Sequence, residues 1–268
     1  MVESIVFHSA RSGAGKSMLV ANIAALLAAR GRQVGVVDTN LQEGGLTLFF
    51  GLPEALIGDT LNDFLLERCD GLTATYDVTP ALVALQDRAT TQPGGRILLL
   101  PASARPRDRA AVVSTGFQID RVTDDLLNLA GTLRLDTLLI DTHAGLQEET
   151  LLAQLSLAVA QTLALILRLD QNDYQGTGVT IDVARTLKVP RIVLIANQVA
   201  AIFDPANVKH ELEQTYGDEV VALLPYSAEL AALGSAGLFV LRYPDHPVTQ
   251  LLERLADALV SGPPPGTV

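Results

Sequence analysis

The loop that follows the first apolar stretch of the sequence carries its clearest chemistry. It joins a strand-like segment to a helix-like one, and its residues are Ser12, Gly13, Ala14, Gly15, Lys16, Ser17 and Met18. Glycines let a backbone approach an anion closely, successive N–H groups point inward, and a helix N-terminus adds partial positive charge. Lys16 would reach the terminal phosphates of a nucleotide, and the Ser17 hydroxyl would ligate Mg²⁺. The loop therefore predicts a phosphate-binding site.

The motif G-x-x-x-x-G-K-[ST] is incomplete in this loop, because Ala10 stands where the first glycine belongs. A strand before the loop and an Ala/Leu-rich amphipathic helix after it are the setting that the motif requires. We therefore interpret the segment as a phosphate cradle, rather than as a chance Gly-Lys-Ser at a strand–helix junction.

Aspartates end two of the apolar stretches that read as strands, at Asp38 and Asp141. Ligand sites of open α/β sheets lie at the carboxyl ends of the strands. An enzyme that binds phosphate in such a loop needs an acid at the end of a neighbouring strand to hold the Mg²⁺ shell. A lone aspartate is often only a turn former, but the phosphate loop makes Asp141 a predicted metal-site residue.

Strand-like and helix-like stretches alternate along the chain, which predicts an α/β fold with a mostly parallel sheet. The predicted strands are 4–9, 33–38, 96–101, 136–141, 162–169, 191–196 and 219–224. The predicted helices are 17–30, 60–68, 119–133, one ending at 187, 205–216, one after 227, and 247–260. Residues 70–95 read as connecting structure.

The composition predicts one α/β domain over residues 1–260 and a frayed C-terminal tail over 261–268. Of the 268 residues 49% are hydrophobic and 4% aromatic, as buried strands with covering helices require. No apolar run reaches the roughly 18 residues of a spanning helix, and no leader segment is visible, so we expect a cytoplasmic protein. The final helix reads as a core element, not a membrane-targeting one.

The net charge of −11 argues against a general affinity for nucleic acid or anionic lipid. Nonspecific DNA binding is therefore not favoured, although the arginines at 105, 107 and 109 leave it open. We interpret these arginines as a solvated loop and helix start, with a partner or phosphate contact as the alternative.

Three other polar features have two readings each, and a fourth, His8, has one. Residues 170–177 read as a dense polar loop that either meets a partner subunit or forms a helix N-cap network. Asn197, at the end of a strand, either reads an adenine edge or closes the strand through its turn preference. His143 is a solvent-exposed loop histidine or a phosphate or partner contact, and His8 is a satisfied core residue.

With these residues in view, the chain resembles the MinD/ParA family of deviant Walker A ATPases over nearly its full length. The residues that carry the resemblance are the Lys16-Ser17 loop with Arg11, the strand end at Asp38, the turn 141–145 and Asn197. It implies a three-layer P-loop NTPase fold of the SIMIBI class, with helices on both faces of a twisted sheet. It also implies ATP or ADP with Mg²⁺, a nucleotide-sandwich homodimer, and a protein partner or large cellular cargo.

The resemblance also implies roles for single residues. Nucleotide contacts are expected from residues 12–18, Asn197 and Pro225, and Mg²⁺ contacts from Ser17, Asp38 and Asp141. Arg11 replaces the family's signature lysine, which reaches the partner's phosphates; its planar guanidinium differs in geometry. Asn40 replaces the usual aspartate of the first switch loop.

Arg11, Lys16, Asp38 and Asn40 thus form the predicted catalytic set. An asparagine can position a water but cannot accept its proton, so we expect slow or partner-dependent hydrolysis.

Three functions fit the sequence: an ATP-driven dimerisation switch, a nucleotide-binding adaptor with little turnover, and a metabolic ligase or small-molecule kinase. The third lacks candidate residues for a second substrate beyond residues 170–177. Cys69 is the only cysteine, which excludes an iron–sulfur site built by one chain.

Overall fold

The computed structural model describes residues 2–41, 45–85, 94–103, 105–145 and 159–260. Across these ranges eight strands form one sheet in the order β3-β4-β2-β5-β1-β6-β7-β8. The strands are β1 Glu3–His8, β2 Gln33–Asp38, β3 Tyr76–Asp77, β4 Arg96–Leu100, β5 Thr137–Asp141, β6 Thr162–Leu167, β7 Arg191–Val199 and β8 Glu219–Pro225. Only β3 runs antiparallel to its neighbour among them, so the predicted fold class is confirmed.

Helices cover both faces of this sheet. They are α1 Lys16–Ala29, α2 Leu46–Phe49, α3 Leu61–Leu65, α4 Pro106–Thr115, α5 Ile119–Thr132, α6 Gln171–Thr186, α7 Pro205–Tyr216, α8 Ala228–Leu233, α9 Phe239–Arg242 and α10 Pro247–Val260. One apolar core joins the sheet to α1, α9 and α10. The second core joins the opposite face to α3, α4, α5, α6 and α7, which gives the three predicted layers.

Helix α1 lies at the centre of the first core. Every residue from Leu19 to Ala28 is buried, so the prediction of an amphipathic helix is wrong. The reason is that α10 packs along the side of α1 that the sheet leaves open, and the many alanines of α1 allow that close approach. Leu252, Leu255 and Leu259 of α10 are buried there, which confirms its reading as a core helix.

Three further predictions need correction. Residues 171–177 are not a loop but the first two turns of α6, because Asp170 caps that helix by accepting hydrogen bonds from the N–H groups of Asn172 and Asp173. The N-cap reading is thereby confirmed. Strand β7 continues past residue 196 to Val199 through an irregularity in its pairing with β8. The region 70–95 contains β3 and a 3₁₀ helix, Thr79–Leu85.

No helix in the described ranges is long and apolar enough to cross a membrane. The tail predicted over 261–268 lies outside the described residues.

Candidate functional site

The loop between β1 and α1 has the backbone of an anion cradle. Gly13 and Gly15 have left-handed φ angles of 77° and 94°, which side chains disfavour. A Cβ on Gly15 would also lie under 3.0 Å from the Asn197 amide nitrogen. Only glycine fits this position without moving Asn197.

Lys16 begins α1 and is 7% exposed. Its Nζ donates a hydrogen bond to Ser9 Oγ at 3.0 Å, which holds the ammonium group against the start of the loop. Ser17 and Met18 are half-buried in the first turn of the same helix. The positive end of the helix and the lysine therefore meet at one place, as phosphate binding requires.

Asp38 and Asp141 stand side by side, because β2 and β5 are neighbours and these two residues are register partners at the strand ends. Their exposed fractions are 0% and 1%. Asp38 accepts hydrogen bonds from the backbone N–H of Asn40 at 3.0 Å and of Leu46 at 3.3 Å. These two carboxylates and the predicted Ser17 hydroxyl are all oxygen donors, which are the ligands that Mg²⁺ prefers.

A cavity of about 540 Å³ opens at this edge of the sheet. The predicted residues that line it are Ser12, Gly13, Gly15, Lys16, Ser17, Met18, Asn40, Asn197 and Pro225. His143 also lines it and is half-buried. The structure thus brings the loop, Asn40 and the ends of β7 and β8 around one space. Ala14 is fully buried behind the loop.

Arg11 lies outside the lining of this cavity, at the start of the loop. Its side chain is 50% exposed, and its Nη1 is 3.9 Å from Oδ1 of Asp170, the cap of α6. An ion pair this exposed stabilises a protein by about 0 to 1 kcal/mol. The structure therefore holds Arg11 weakly on its own subunit.

Asn197 is 2% exposed and hydrogen-bonded at both ends of its amide. Its Nδ2 donates to the Ala14 carbonyl at 2.8 Å, and its Oδ1 accepts from the backbone N–H of Gln198 at 2.9 Å. These bonds give Asn197 a role in shaping the phosphate loop. A contact with adenine stays a prediction.

Sequence reasoning missed Gln198, whose Nε2 donates to the Gly13 carbonyl at 3.1 Å. It also missed the apolar residues Leu48, Tyr226 and Leu230 of the cavity wall. The one signal for Gln198 in the sequence was its neighbour Asn197. Gln198 has a left-handed φ of 58°, but a glutamine, unlike a glycine or an asparagine, does not indicate this conformation in a sequence.

His8 is buried, as predicted, but only half satisfied. Thr142 Oγ1 donates to the Phe7 carbonyl at 2.9 Å, so His8 Nδ1 donates to Thr142 Oγ1 at 2.6 Å. The other ring nitrogen makes no hydrogen bond to the described part of the chain. Burial, with the nearby charges of Lys16 and His143, lowers the pKa of His8 to about 3. His8 is therefore neutral and ties β1 to the turn after β5.

The arginines at 105, 107 and 109 are not among the residues that line this cavity. Arg105 precedes α4, which begins at Pro106, and both Arg105 and Arg107 are exposed. This agrees with the reading of a solvated loop and helix start.

Residues 5–240 match the family model described as the CobQ/CobB/MinD/ParA nucleotide binding domain. An uncharacterized ATP-binding protein of Methanocaldococcus jannaschii is 25% identical over 261 residues, which are 97% of this chain and 88% of that protein. An iron-sulfur cluster carrier protein of Pyrococcus furiosus is 22% identical over 274 residues, 96% of this chain and 85% of that one.

Among solved structures, the septum site-determining protein MinD complexed with Mg-ADP, from Pyrococcus horikoshii OT3, has a similar fold. It superposes with a TM-score of 0.76 at 20% identity, over 96% of this chain and 95% of that one.

Proposed function

Because the chain belongs to the CobQ/CobB/MinD/ParA nucleotide-binding family, we propose that it is a Mg²⁺-dependent ATPase that dimerises on ATP. In this proposal dimerisation drives the positioning or assembly of a cellular cargo through a protein partner. One observation carries it. The phosphate loop with its two left-handed glycines, the buried Lys16 and two adjacent buried carboxylates all lie at one edge of the sheet.

Each part of that edge has a chemical task. The N–H groups of the loop and the Lys16 ammonium bind the phosphates. Ser17, Asp38 and Asp141 would hold Mg²⁺, which neutralises charge that develops on the phosphates. Asn197 and Pro225 line the same cavity, and in this proposal they border the nucleotide base.

Asn40 sets the expected rate of hydrolysis. It is 7% exposed and lines the cavity, so its carboxamide can orient a water by hydrogen bonding. It cannot accept the proton of that water. Losing an aligned polar group in phosphoryl transfer slows the reaction about 10- to 1,000-fold. We therefore expect slow intrinsic turnover that a partner accelerates.

Arg11 is the proposed contact across the dimer. Its ion pair with Asp170 is exposed and weak, so a phosphate on the partner subunit can replace it. A guanidinium binds phosphate oxygens in a two-pronged, charge-assisted arrangement.

Light scattering with ATP and with ADP tests this switch. We expect ATP with Mg²⁺, but not ADP, to shift wild-type protein from monomer to dimer. Lys16→Ala should bind no ATP and stay monomeric, with its unfolding midpoint measured in parallel to show that it is folded. Arg11→Ala should bind ATP within about threefold of wild type and fail to dimerise, because Arg11 lies outside the cavity of its own subunit. A wild-type monomer in every nucleotide state contradicts the proposal.

Asn40 also favours a second candidate, an adaptor that binds nucleotide without turnover. Phosphate release under saturating Mg-ATP separates the two functions. Steady release that disappears in Asp141→Ala identifies an ATPase, whereas binding without release identifies the adaptor.

A further inference from the structure

Gln198 occupies a backbone conformation that needs an explanation. Its φ is 58°, and it lies where the pairing of β7 with β8 is irregular. A side chain in this region costs about 1 kcal/mol or more and persists where surrounding contacts hold it. Glycine would relieve that strain. The side-chain contacts of Gln198 therefore show what a glutamine adds at this position.

The contacts of Gln198 lead to the phosphate loop. Its Nε2 donates to the Gly13 carbonyl at 3.1 Å, and the neighbouring Asn197 donates to the Ala14 carbonyl at 2.8 Å. The backbone N–H of Gln198 fixes Asn197 through a third bond at 2.9 Å. Two adjacent side chains of β7 therefore hold two consecutive carbonyls of the loop.

Because of peptide geometry, these hydrogen bonds to the carbonyls also fix the direction of the N–H groups in the loop. In a planar trans peptide the C=O and the N–H point to opposite sides. Holding the Gly13 carbonyl toward Gln198 turns the Ala14 N–H away from it, and holding the Ala14 carbonyl does the same for the Gly15 N–H. Inward-pointing N–H groups are what bind phosphate in such a loop.

We propose that Gln198 is a positioning residue that presets the phosphate loop before nucleotide arrives. This inference rests on the proposed function, since it assigns the nucleotide as the ligand. Gln198 acts through the Gly13 peptide and is itself exposed at the rim of the cavity.

Two substitutions separate the side-chain amide from the backbone strain. Gln198→Met keeps the length and the strain but has no donor, and Gln198→Gly removes both. A neutral hydrogen bond stabilises by about 0.5 to 1.5 kcal/mol, so both variants should bind Mg-ATP about 2- to 12-fold more weakly. Gln198→Gly should nevertheless unfold at the same temperature as wild type or higher.

Lys188 provides the matched control. It is exposed, has the same φ of 58° and does not line the cavity. Lys188→Gly should raise stability in the same way and leave ATP affinity unchanged.

Calorimetric titration with Mg-ATP and thermal unfolding without nucleotide form the test, for wild type, Gln198→Met, Gln198→Gly and Lys188→Gly. Weaker binding in both Gln198 variants, with no fall in the Gln198→Gly midpoint, supports the inference. Wild-type affinity for Mg-ATP in both Gln198 variants overturns it. So does a loss of Mg-ATP affinity in Lys188→Gly as large as the loss in the Gln198 variants.

Amide hydrogen exchange in the nucleotide-free protein decides the same point without binding. The amides of Ala14 and Gly15 should exchange faster in Gln198→Met than in wild type, and equal rates overturn the inference. If wild type binds no adenine nucleotide, the proposed function fails, and these exchange rates still decide whether Gln198 orders the loop.

Discussion

Substitution of Gly176 by alanine tests how α6 supports the phosphate loop. A Cβ at Gly176 would lie under 3.0 Å from the Ala10 Cβ and 3.6 Å from its Cα. These atoms belong to the backbone or are fixed to it, so either the loop or α6 must shift. Gly145 also lies close to Ala10, because a Cβ added there would be 3.3 Å from the Ala10 carbonyl oxygen.

Two opposing effects set the magnitude. Overpacking costs about 1 to 3 kcal/mol, and replacing a helical glycine by alanine stabilises the helix by about 1 kcal/mol. We therefore expect Gly176→Ala to lower the free energy of unfolding by about 0 to 2 kcal/mol and to weaken Mg-ATP binding. In the Ala10→Gly background the clash is gone, and the same substitution should stabilise by about 1 kcal/mol.

Denaturant unfolding and calorimetric titration of the two single variants and the double variant form a double-mutant cycle. The expected coupling energy is about 1 to 3 kcal/mol. Gly178→Ala is the matched control, since it lies in the same helix and its Cβ would meet only Tyr216 at 3.9 Å. If Gly176→Ala stabilises the protein as much as Gly178→Ala does with Ala10 present, the packing argument is refuted.

Three other predictions concern charges around the site. Asp170→Asn should keep the cap of α6, because asparagine and aspartate cap helices equally well. It should strengthen ATP-dependent dimerisation up to about fivefold, because it releases Arg11. Unchanged dimer affinity in sedimentation would contradict this. His8→Asn should flatten the pH dependence of stability. The folded pKa of His8, about 3, is below its unfolded value. The unfolded state therefore binds more protons than the folded state as pH falls from about 6.5, and wild type loses up to about 1.4 kcal/mol of stability per pH unit that the variant keeps. Equal slopes of stability against pH between pH 6.5 and 5, measured by denaturant unfolding, would exclude it. Asp38→Asn should weaken Mg-ATP more than metal-free ATP, because it removes a carboxylate from the oxygen donor set; equal losses in calorimetry would argue against a metal role.

The sequence predicted the elements whose ends have a chemical marker. Helices α7 and α10 begin at Pro205 and Pro247, where a proline fits the first turn, and both were predicted with the observed bounds. Asp38 and Asp141 were predicted as neighbours at one site because each ends an apolar run, and the carboxyl ends of parallel strands lie at one edge of the sheet.

The errors arose where a distant element decides the local structure. The start of α6 is polar and contains Gly176, which has a low helix propensity, so the sequence pattern left a loop and a helix N-cap as alternatives there. The capping bonds of Asp170 begin the helix, and Gly176 lies close against Ala10 of the distant phosphate loop. Similarly, α1 is buried on all sides because α10, from the other end of the chain, covers it.

Ala10 and Arg11 of the phosphate loop both meet the start of α6. Ala10 replaces a glycine, and the space for its Cβ comes from Gly176. Arg11 stands where the resemblance implies a lysine, and its guanidinium lies beside Asp170. Both partners belong to the start of α6, so the loop and this helix form one packed unit. Restoring the motif's glycine at residue 10 therefore opens a gap against Gly176 unless that residue also changes. The conformation of this loop therefore depends on α6 as well as on its own residues. A motif search that examines only residues 10–17 does not include the residues of α6 that contact the loop.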